Sequence, residues 1–398
     1  MKSKCFEIVL VSVLSFALFT GGCSSRLPAE TLPVMTEGAP VSLESLAETE
    51  VSESVVETEA AIGPMSTPQV TDIPVEVNGQ LSVSGTSLVN ENGEPVQLRG
   101  MSSCGLISTY NFFSDDVADT LIQDWGCSVI RLAMTTRGYD NGYTYDPERY
   151  FEDVCTYTDT LIAHGVYVII DWHILYDGDP NEYKEEAIDF FSRISSLYGE
   201  YPNVIYEICN EPNGERIDDP EQAVDWNNTI RPYAEEVIAA IRENDPDNII
   251  IVGTPNWSQD VDEASLNPLS GDNIMYTLHF YAGSHGQDLR DKAQTALDNG
   301  LPIFITEWGT SQDSGGGGVY YEETNEWMEF INENGLSWCN WSIGGSNTES
   351  SNALRLYSNN FTVEQKIAAH WPDEMLSPSG LFVRALILGQ DFEIPEEG

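Results

Sequence analysis

The sequence has few basic residues and few histidines. It contains 17 lysines and arginines against 65 aspartates and glutamates, which gives a formal net charge of −48 at pH 7. A chain this acidic repels phosphate backbones, so we exclude nucleic acid as a ligand. The five histidines include no HxH or HExxH spacing, which disfavours a metal-dependent hydrolase.

Cysteines are also few, and they form no recognisable framework. Two of the seven, Cys5 and Cys23, lie in the N-terminal segment. The remaining five have no CxxC or CxxH spacing and are odd in number, so neither a disulfide scaffold nor a zinc site is predicted. We expect them to be mostly free, buried thiols; they are Cys104, Cys127, Cys155, Cys209 and Cys339.

The N-terminal apolar run is too short to span a bilayer. Residues 8–19 form a run of 12 residues after Lys2 and Lys4, as in the core of an export signal. The run ends at Thr20-Gly21-Gly22-Cys23, which is similar to the lipobox of bacterial lipoproteins, although Thr20 stands where leucine is usual. We therefore predict a signal peptide over 1–23 and a lipid on Cys23. An ordinary cleaved signal with an incidental cysteine is the alternative.

The next segment is unsuited to a packed core. Residues 24–79 are rich in Glu, Ser, Thr, Pro and Val, contain no aromatic residue, and set ten acidic side chains against Arg26. Such a composition predicts a disordered acidic linker. We predict one large folded domain over 80–390 and an acidic tail over 391–398. The protein is expected to be extracellular and tethered to the cell surface, with no other membrane contact, and to be a monomer.

Within the domain, a hairpin at 81–96 precedes an alternation of strand and helix. Two amphipathic helices are predicted at 182–198 and 225–244, and a last helix at 378–388. Eight near-continuously apolar, strand-like runs predict an α/β fold, a (β/α)₈ TIM barrel. A doubly wound sheet is the alternative, but no GxGxxG follows the first strand. The runs are 96–102, 128–134, 165–173, 204–211, 248–253, 274–281, 302–307 and 336–343.

Polar and aromatic side chains lie at the ends of these runs. The active site of a (β/α)₈ barrel is built at the C-terminal ends of its strands, so we expect these residues to share one mouth. Any one of them alone could be structural; their convergence favours a site. They are Arg131, His173, Asn210, Glu211, His279, Tyr281, Glu307 and Trp341.

Glu211 and Glu307 indicate the chemistry of the site. Each ends a run suited to a buried strand, where removing a carboxylate from water costs free energy. Retaining cleavage of a glycosidic bond needs one ionised and one protonated carboxyl. Glu307, near Arg131 and Tyr281, is the better nucleophile, and Glu211 is the better acid if its pKa is raised by burial and by Glu307.

Neighbouring residues are expected to contact the sugar. Asn210 is placed to hydrogen-bond a sugar hydroxyl in the transition state. Trp341 and Trp257 offer flat apolar faces to sugar rings, although core packing explains a tryptophan equally well.

Five segments carry a resemblance to glycoside hydrolase family 5, and most of all to its bacterial endo-β-1,4-glucanases. The resemblance covers about 81–389 and implies a (β/α)₈ barrel that cleaves β-glucan with retention, without metal or organic cofactor. It implies that Glu211 is the acid/base and Glu307 the nucleophile, supported by Arg131, His173, Asn210, His279, Tyr281 and Trp341. The segments are VIIDWH (168–173), VIYEICNEPNG (204–214), DPDNIIIVG (245–253), LHFYAG (278–283) and ITEWGT (305–310).

The chain departs from this family pattern where the sugars on the non-reducing side would lie. Cys104 replaces a usual histidine, Ser108 lies where a tryptophan platform is usual, and Thr135 replaces a common tyrosine; no lysine follows Trp341. The predicted substrate is therefore a cellulose-type β-1,4-glucan, with mixed-linkage β-glucan, xyloglucan or mannan as alternatives. A glycan-binding surface protein without catalysis is the alternative from another class.

Overall fold

The computed structural model describes residues 72–106, 114–137, 141–214, 224–344, 350–355, 365 and 368–395. Strands β1 (Ser82–Ser84) and β2 (Ser87–Val89) form an antiparallel hairpin. Eight parallel strands then close into a barrel in the order β10-β3-β4-β5-β6-β7-β8-β9, which confirms the predicted (β/α)₈ fold. They are β3 (Arg99–Ser102), β4 (Val129–Thr135), β5 (Tyr167–His173), β6 (Val204–Glu207), β7 (Ile250–Val252), β8 (Ile274–Tyr281), β9 (Ile303–Gly309) and β10 (Trp338–Trp341).

Helices connect the strands on the outside of the barrel. The predicted helix at 182–198 is a 3₁₀ turn followed by an α-helix, the one at 225–244 starts with a π turn, and the last helix has the predicted bounds. The α-helices are Pro74–Asn78, Asp115–Asp119, Pro147–His164, Lys184–Tyr198, Arg231–Arg242, Pro255–Ser258, Val261–Ser265, Gln287–Asp298, Tyr321–Glu333 and Pro378–Leu388. The 3₁₀ helices are Pro180–Tyr183 and Asp373–Met375, and the π turns are Thr120–Asp124 and Trp226–Ile230.

Strand alternation divides the core into two apolar clusters. In β5, Val168 and Ile170 pack against the helices, whereas Tyr167 and Ile169 belong to the cluster inside the barrel. Successive residues of a strand point to opposite faces, so Asp171 continues the inward-facing row. The apolar interior thus supports a layer of polar side chains at the C-terminal ends of the strands.

Strand β9 carries one residue more than either neighbour at the level of this polar layer. Its register shifts against β8 between Thr277 and His279, which pair with Phe304 and Glu307, and it shifts against β10 at the same level. Such a β-bulge places two residues opposite one. Here it lets both Thr306 and Glu307 contact side chains of the barrel interior.

Several predicted boundaries differ from the structure. Strand β6 ends at Glu207 rather than Glu211, because the chain leaves the ladder, and the N–H of Asn210 donates to the carbonyl of Trp172 on β5 at 3.2 Å. Arg131 lies in the middle of β4 rather than at its end. At the chain ends, helix Pro74–Asn78 lies within the predicted linker, and Phe392 in the predicted tail stacks on Tyr321.

The predicted signal peptide and Cys23 lie outside the described residues. Among the helices that the structure describes, none combines the length and apolar character needed to cross a membrane. Cys127, Cys209 and Cys339 are free thiols and are buried, as predicted; Cys155 is also buried, whereas Cys104 is partly exposed.

Candidate active site

Arg131 is the centre of the polar layer at the mouth of the barrel. Its side chain is fully buried and contacts three carboxylates: Nε donates to Glu207 at 2.7 Å, Nη2 lies 2.8 Å from Asp171, and Nη1 donates to Glu307 at 3.1 Å. Burial by itself lowers the pKa of Arg131, but the three carboxylates outweigh it and raise that pKa well above its ordinary value. The guanidinium is therefore a permanent cation that fixes its acidic neighbours in place.

Glu307 is held by two donors from neighbouring strands. Its Oε2 accepts from Arg131, and its Oε1 accepts from the Tyr281 hydroxyl at 2.7 Å. Both contacts were expected from the sequence. The cation and the hydroxyl group hold both oxygens of the carboxylate in place, so this environment suits a nucleophile.

Glu211 lies on the chain segment after β6, facing His279 on β8. The side-chain amide of Asn213 donates to the backbone carbonyl of Glu211 at 3.0 Å. The side-chain Oε1 of Glu211 lies 2.9 Å from Nδ1 of His279. Burial raises the pKa of Glu211 to about 7, opposed by His173 and Arg131 and reinforced by the negative charge of Glu207. The raised pKa agrees with the sequence argument, but the reinforcing charge is that of Glu207 rather than Glu307.

The two glutamates face each other at close range. One carboxylate oxygen of Glu211 and one of Glu307 lie within 4.8 Å of each other and of a His279 ring nitrogen. A cation could fit such a group, but both ring nitrogens of His279 already have protein partners, Glu211 and Thr306. We therefore assign no metal ligand here.

A cavity of about 680 Å³ opens over these carboxylates. Trp341 forms one wall, stacked on His173 with the ring planes 3° apart. Trp257 also lines the cavity, at a turn in which Asn256, Trp257 and Ser258 all have positive φ. Leu175, Gln259, His285, Asp313 and Ser314 complete the part of the wall that the sequence did not indicate.

Not every predicted site residue reaches this cavity. Arg131 and Asn210 lie fully buried beneath it, where Asn210 accepts from Arg131 at 2.6 Å and donates to the carbonyl of Ile174 at 2.9 Å. Cys104 and Thr135 are partly exposed but are not among its described lining residues. Ser108 lies outside the described residues.

Sequence reasoning missed three buried polar residues of this layer: Asp171, Glu207 and Thr306. It considered only the last polar residue of each run. Asp171 and Glu207 each follow, by two positions, an isoleucine of the inner cluster, Ile169 and Ile205. An acid in the inward-facing row of an apolar strand was the available signal. Burial raises the pKa of Asp171 to about 8 and also raises that of Glu207.

Comparisons with known proteins agree with this geometry. The sequence profile of the cellulase family, glycosyl hydrolase family 5, matches residues 89–347. An endoglucanase of Clostridium saccharobutylicum is 48% identical over 313 residues, which cover 79% of this chain and 66% of that protein. Endoglucanase A of Evansella cellulosilytica is 51% identical over 295 residues, which cover 74% of this chain and 57% of that protein. The chain thus spans less than two thirds of the length of these relatives.

A solved structure gives the same result for the fold. The catalytic domain of the Thermobifida fusca endoglucanase Cel5A superimposes with a TM-score of 0.72 at 35% identity, covering 80% of this chain and 100% of that domain. A variant of that domain was solved in complex with cellotetraose and has a TM-score of 0.72 at 34% identity, with the same coverage of both chains.

Proposed function

Because this chain belongs to the cellulase family, glycosyl hydrolase family 5, we propose that it is an endo-acting β-1,4-glucanase that retains anomeric configuration. One observation carries the proposal: Glu211 and Glu307 have carboxylate oxygens within 4.8 Å of each other. This proximity supports direct attack by one carboxylate, as in retaining enzymes, whose carboxyl groups lie about 5–5.5 Å apart.

In the first step Glu307 attacks the anomeric carbon. Arg131 and Tyr281 hold its two oxygens, which orients the carboxylate and stabilises its charge until the covalent bond forms. Glu211 transfers its proton to the departing glycosidic oxygen as the bond to the anomeric carbon breaks. A pKa of about 7 keeps this proton available at neutral pH and still allows its release.

In the second step the same residues act in reverse. Glu211, now a carboxylate, takes a proton from a water molecule that attacks the anomeric carbon, and Glu307 leaves as a carboxylate. Configuration is inverted twice and therefore retained. Trp341 and Trp257 on the cavity wall support a polysaccharide substrate, since their ring faces can stack on sugars.

The test separates the roles of the two glutamates. Glu307→Gln should lose turnover of every substrate, since no nucleophile remains. Glu211→Gln should lose on the order of 10²–10⁴-fold on cello-oligosaccharides. It should keep the first step on a dinitrophenyl cellobioside, whose leaving group needs no proton, and so release a burst of dinitrophenol although the second step is slowed. Glu329→Gln, an exposed position on helix Tyr321–Glu333, is the matched control and should be unchanged.

Two results would contradict this assignment. One is a folded Glu211→Gln variant that loses the activated substrate as completely as Glu307→Gln does. The other is an early product of inverted configuration by NMR.

The preferred polymer needs its own assay. The assay measures the release of reducing ends from soluble cellulose, mixed-linkage β-glucan, xyloglucan and mannan. We expect the release to be fastest from linear or mixed-linkage β-glucan. No release from any of them, with glycan binding retained, would identify a binding protein instead. The cellotetraose complex of the Thermobifida fusca relative supports a β-1,4-glucan.

We also propose that Cys23 carries a lipid and that residues 24–79 tether the enzyme to the cell surface. The support is the TGGC junction and the acidic segment after it. Cys23→Ala should release the protein or leave it unprocessed. Native enzyme free in the medium with an N-terminus other than Cys23 would count against the anchor.

A further inference from the structure

Glu207 is a buried carboxylate that the proposed mechanism does not use. Its side chain is fully buried on β6 and does not line the cavity. Both of its oxygens accept from Arg131, at 2.7 and 3.1 Å, and its Oε1 also accepts from the Thr306 hydroxyl at 2.8 Å. Glu207 therefore has a second contact, away from Arg131, that leads toward the acid/base.

The hydroxyl hydrogen of Thr306 can be donated to only one of its neighbours. Thr306 Oγ1 has three neighbours: Glu207 Oε1, Thr277 Oγ1 at 2.6 Å and His279 Nε2 at 3.0 Å. A carboxylate only accepts, so Thr306 gives its single hydrogen to Glu207. Because the Thr306 hydrogen goes to Glu207, the Thr277 hydroxyl is the donor in its contact with Thr306 Oγ1, and Thr277 Oγ1 in turn accepts the backbone N–H of Thr306 at 3.2 Å.

This direction fixes the tautomer of His279. With the Thr306 hydrogen given to Glu207, Nε2 of His279 has to donate to Thr306. Burial lowers the pKa of His279 to about 4, so the ring is neutral near pH 7 and its Nδ1 is an acceptor. Nδ1 lies 2.9 Å from Glu211 Oε1, and the hydrogen between them therefore belongs to the carboxylic acid of Glu211.

We propose that Glu207 is a positioning residue that holds Glu211 in its protonated form through the Thr306 hydroxyl and the His279 ring. The inference rests on the proposed role of Glu211 as acid/base. When Glu211 has given its proton to the leaving oxygen, its carboxylate faces the Nδ1 lone pair. That contact favours recovery of a proton from the attacking water, while Thr306 and His279 keep their protons and Glu207 remains a carboxylate.

Further charged and titratable groups face the two ends of this relay. Arg131 and His173 lower the pKa of Glu211, whereas burial and Glu207 raise it. The charged and titratable groups that face Glu207 and Glu211 are Arg131 on β4, Asp171 and His173 on β5, Cys209 after β6, His279 on β8, Glu307 on β9 and Cys339 on β10. Burial raises the pKa of both thiols, so they stay neutral.

Glu207→Gln should reverse the direction of the hydrogen bonds from residue 207 through Thr306 to His279, and it keeps the size of the side chain. Arg131 donates to Oε2 at 2.7 Å and to Oε1 at the longer distance of 3.1 Å, so the amide oxygen belongs at Oε2. The amide NH₂ then takes the Oε1 position beside Thr306 and gives up the longer contact with Arg131. That NH₂ donates to Thr306, which then donates to Nε2 of His279. The ring hydrogen moves to Nδ1 and points at Glu211, stabilising its carboxylate.

The first readout is the tautomer itself, which needs no activity. With ¹⁵N-labelled histidine, only five residues give signals, and His279 is assigned by His279→Gln. We expect hydrogen on Nε2 in the wild type and on Nδ1 in Glu207→Gln. Hydrogen on Nδ1 in the wild type at pH 6 would overturn the proposal.

The second readout is the alkaline limb of kcat/KM on cello-oligosaccharides. Loss of the Glu207 charge and the new Nδ1 donor both favour ionised Glu211, so the limb should move to lower pH by about one unit. Thr306→Val keeps the Glu207 charge but removes the hydroxyl that links Glu207 to His279. The alkaline limb of this variant should therefore also move to lower pH, by less than in Glu207→Gln. Thr306→Ser restores the hydroxyl and should restore the wild-type limb.

An unchanged limb in folded Glu207→Gln and Thr306→Val would refute the relay. If Glu207→Gln does not fold, the wild-type tautomer and Thr306→Val decide. If the wild type releases no reducing ends, the proposed function fails, and the His279 tautomer still tests the relay separately.

Discussion

Replacing Arg131 by methionine removes the only cation that Asp171, Glu207 and Glu307 are shown to contact among the described residues. Methionine has a similar length and no charge, so the change isolates electrostatics from packing. Removing one partner of a buried ion pair costs about 3–5 kcal/mol of unfolding free energy. Because three carboxylates lose their counterion here, we expect the upper end of that range at pH 8.

The cost should depend on pH with a definite sign. Burial raises the pKa of Asp171 and of Glu207, and Arg131 opposes that rise, so both pKa values should be higher still without Arg131. Their neutral forms are favoured in the folded protein, so folding becomes less favourable as pH rises above the unfolded value of about 4. At pH 5 these groups can take up protons, and the variant should lose less stability there than at pH 8.

Guanidinium denaturation followed by tryptophan fluorescence at pH 5 and pH 8 measures both quantities. Arg149→Met is the matched control, because Arg149 is 60% exposed and lies 4.0 Å from Asp153. An exposed pair of this kind contributes about 1 kcal/mol or less. If Arg131→Met costs no more than this control, or costs the same at both pH values, the carboxylates do not depend on Arg131.

Three further predictions concern activity. Burial raises the pKa of Glu211 to about 7, and Glu211 must be protonated to act as the proposed acid, so kcat/KM on cello-oligosaccharides should fall above about pH 7. The rate of single-turnover glycosylation by a dinitrophenyl cellobioside should show no such fall. Trp341→Ala should raise KM roughly ten- to a hundredfold through loss of about 1.5–3 kcal/mol of apolar contact, and Trp341→Phe should recover most of it; an unchanged KM would remove this ring from the substrate site. Restoring the usual residues of the family should raise activity on linear cello-oligosaccharides, and a folded triple variant without gain would show that other residues have rebuilt these subsites. The triple variant is Cys104→His, Ser108→Trp and Thr135→Tyr.

The sequence predicted the barrel because its buried strands are nearly continuous apolar runs. Strand β8 and helix Pro378–Leu388 have the predicted bounds, since clear polar or turn residues flank them. The β6 boundary was wrong by four residues, because the apolar run continues past Glu207 after the chain has left the ladder. Hydrophobicity reports burial, and these residues are buried without being paired in the sheet.

The candidate site was predictable as a set of rim residues but not as a network. Glu211, Glu307 and Tyr281 could be found because they end apolar runs. The connection from Glu207 through Thr306 to His279 depends on the relative register of three strands. That register is set by pairing across the barrel, which one strand's sequence does not contain.

Because of the bulge in β9, the position of Glu307 relative to the other site residues depends on the number of residues in this strand. A regular β9 would offer one inward position where Thr306 and Glu307 now stand, so Glu307 would lie deeper, beside Glu207. The outward face would hardly change, because Ile305 and Trp308 would still pack against the helices. Exchange of βα modules between barrels of this kind should therefore treat β9 as a unit that includes its extra residue. A chimera with a strand one residue shorter could retain a complete core and yet lose its chemistry.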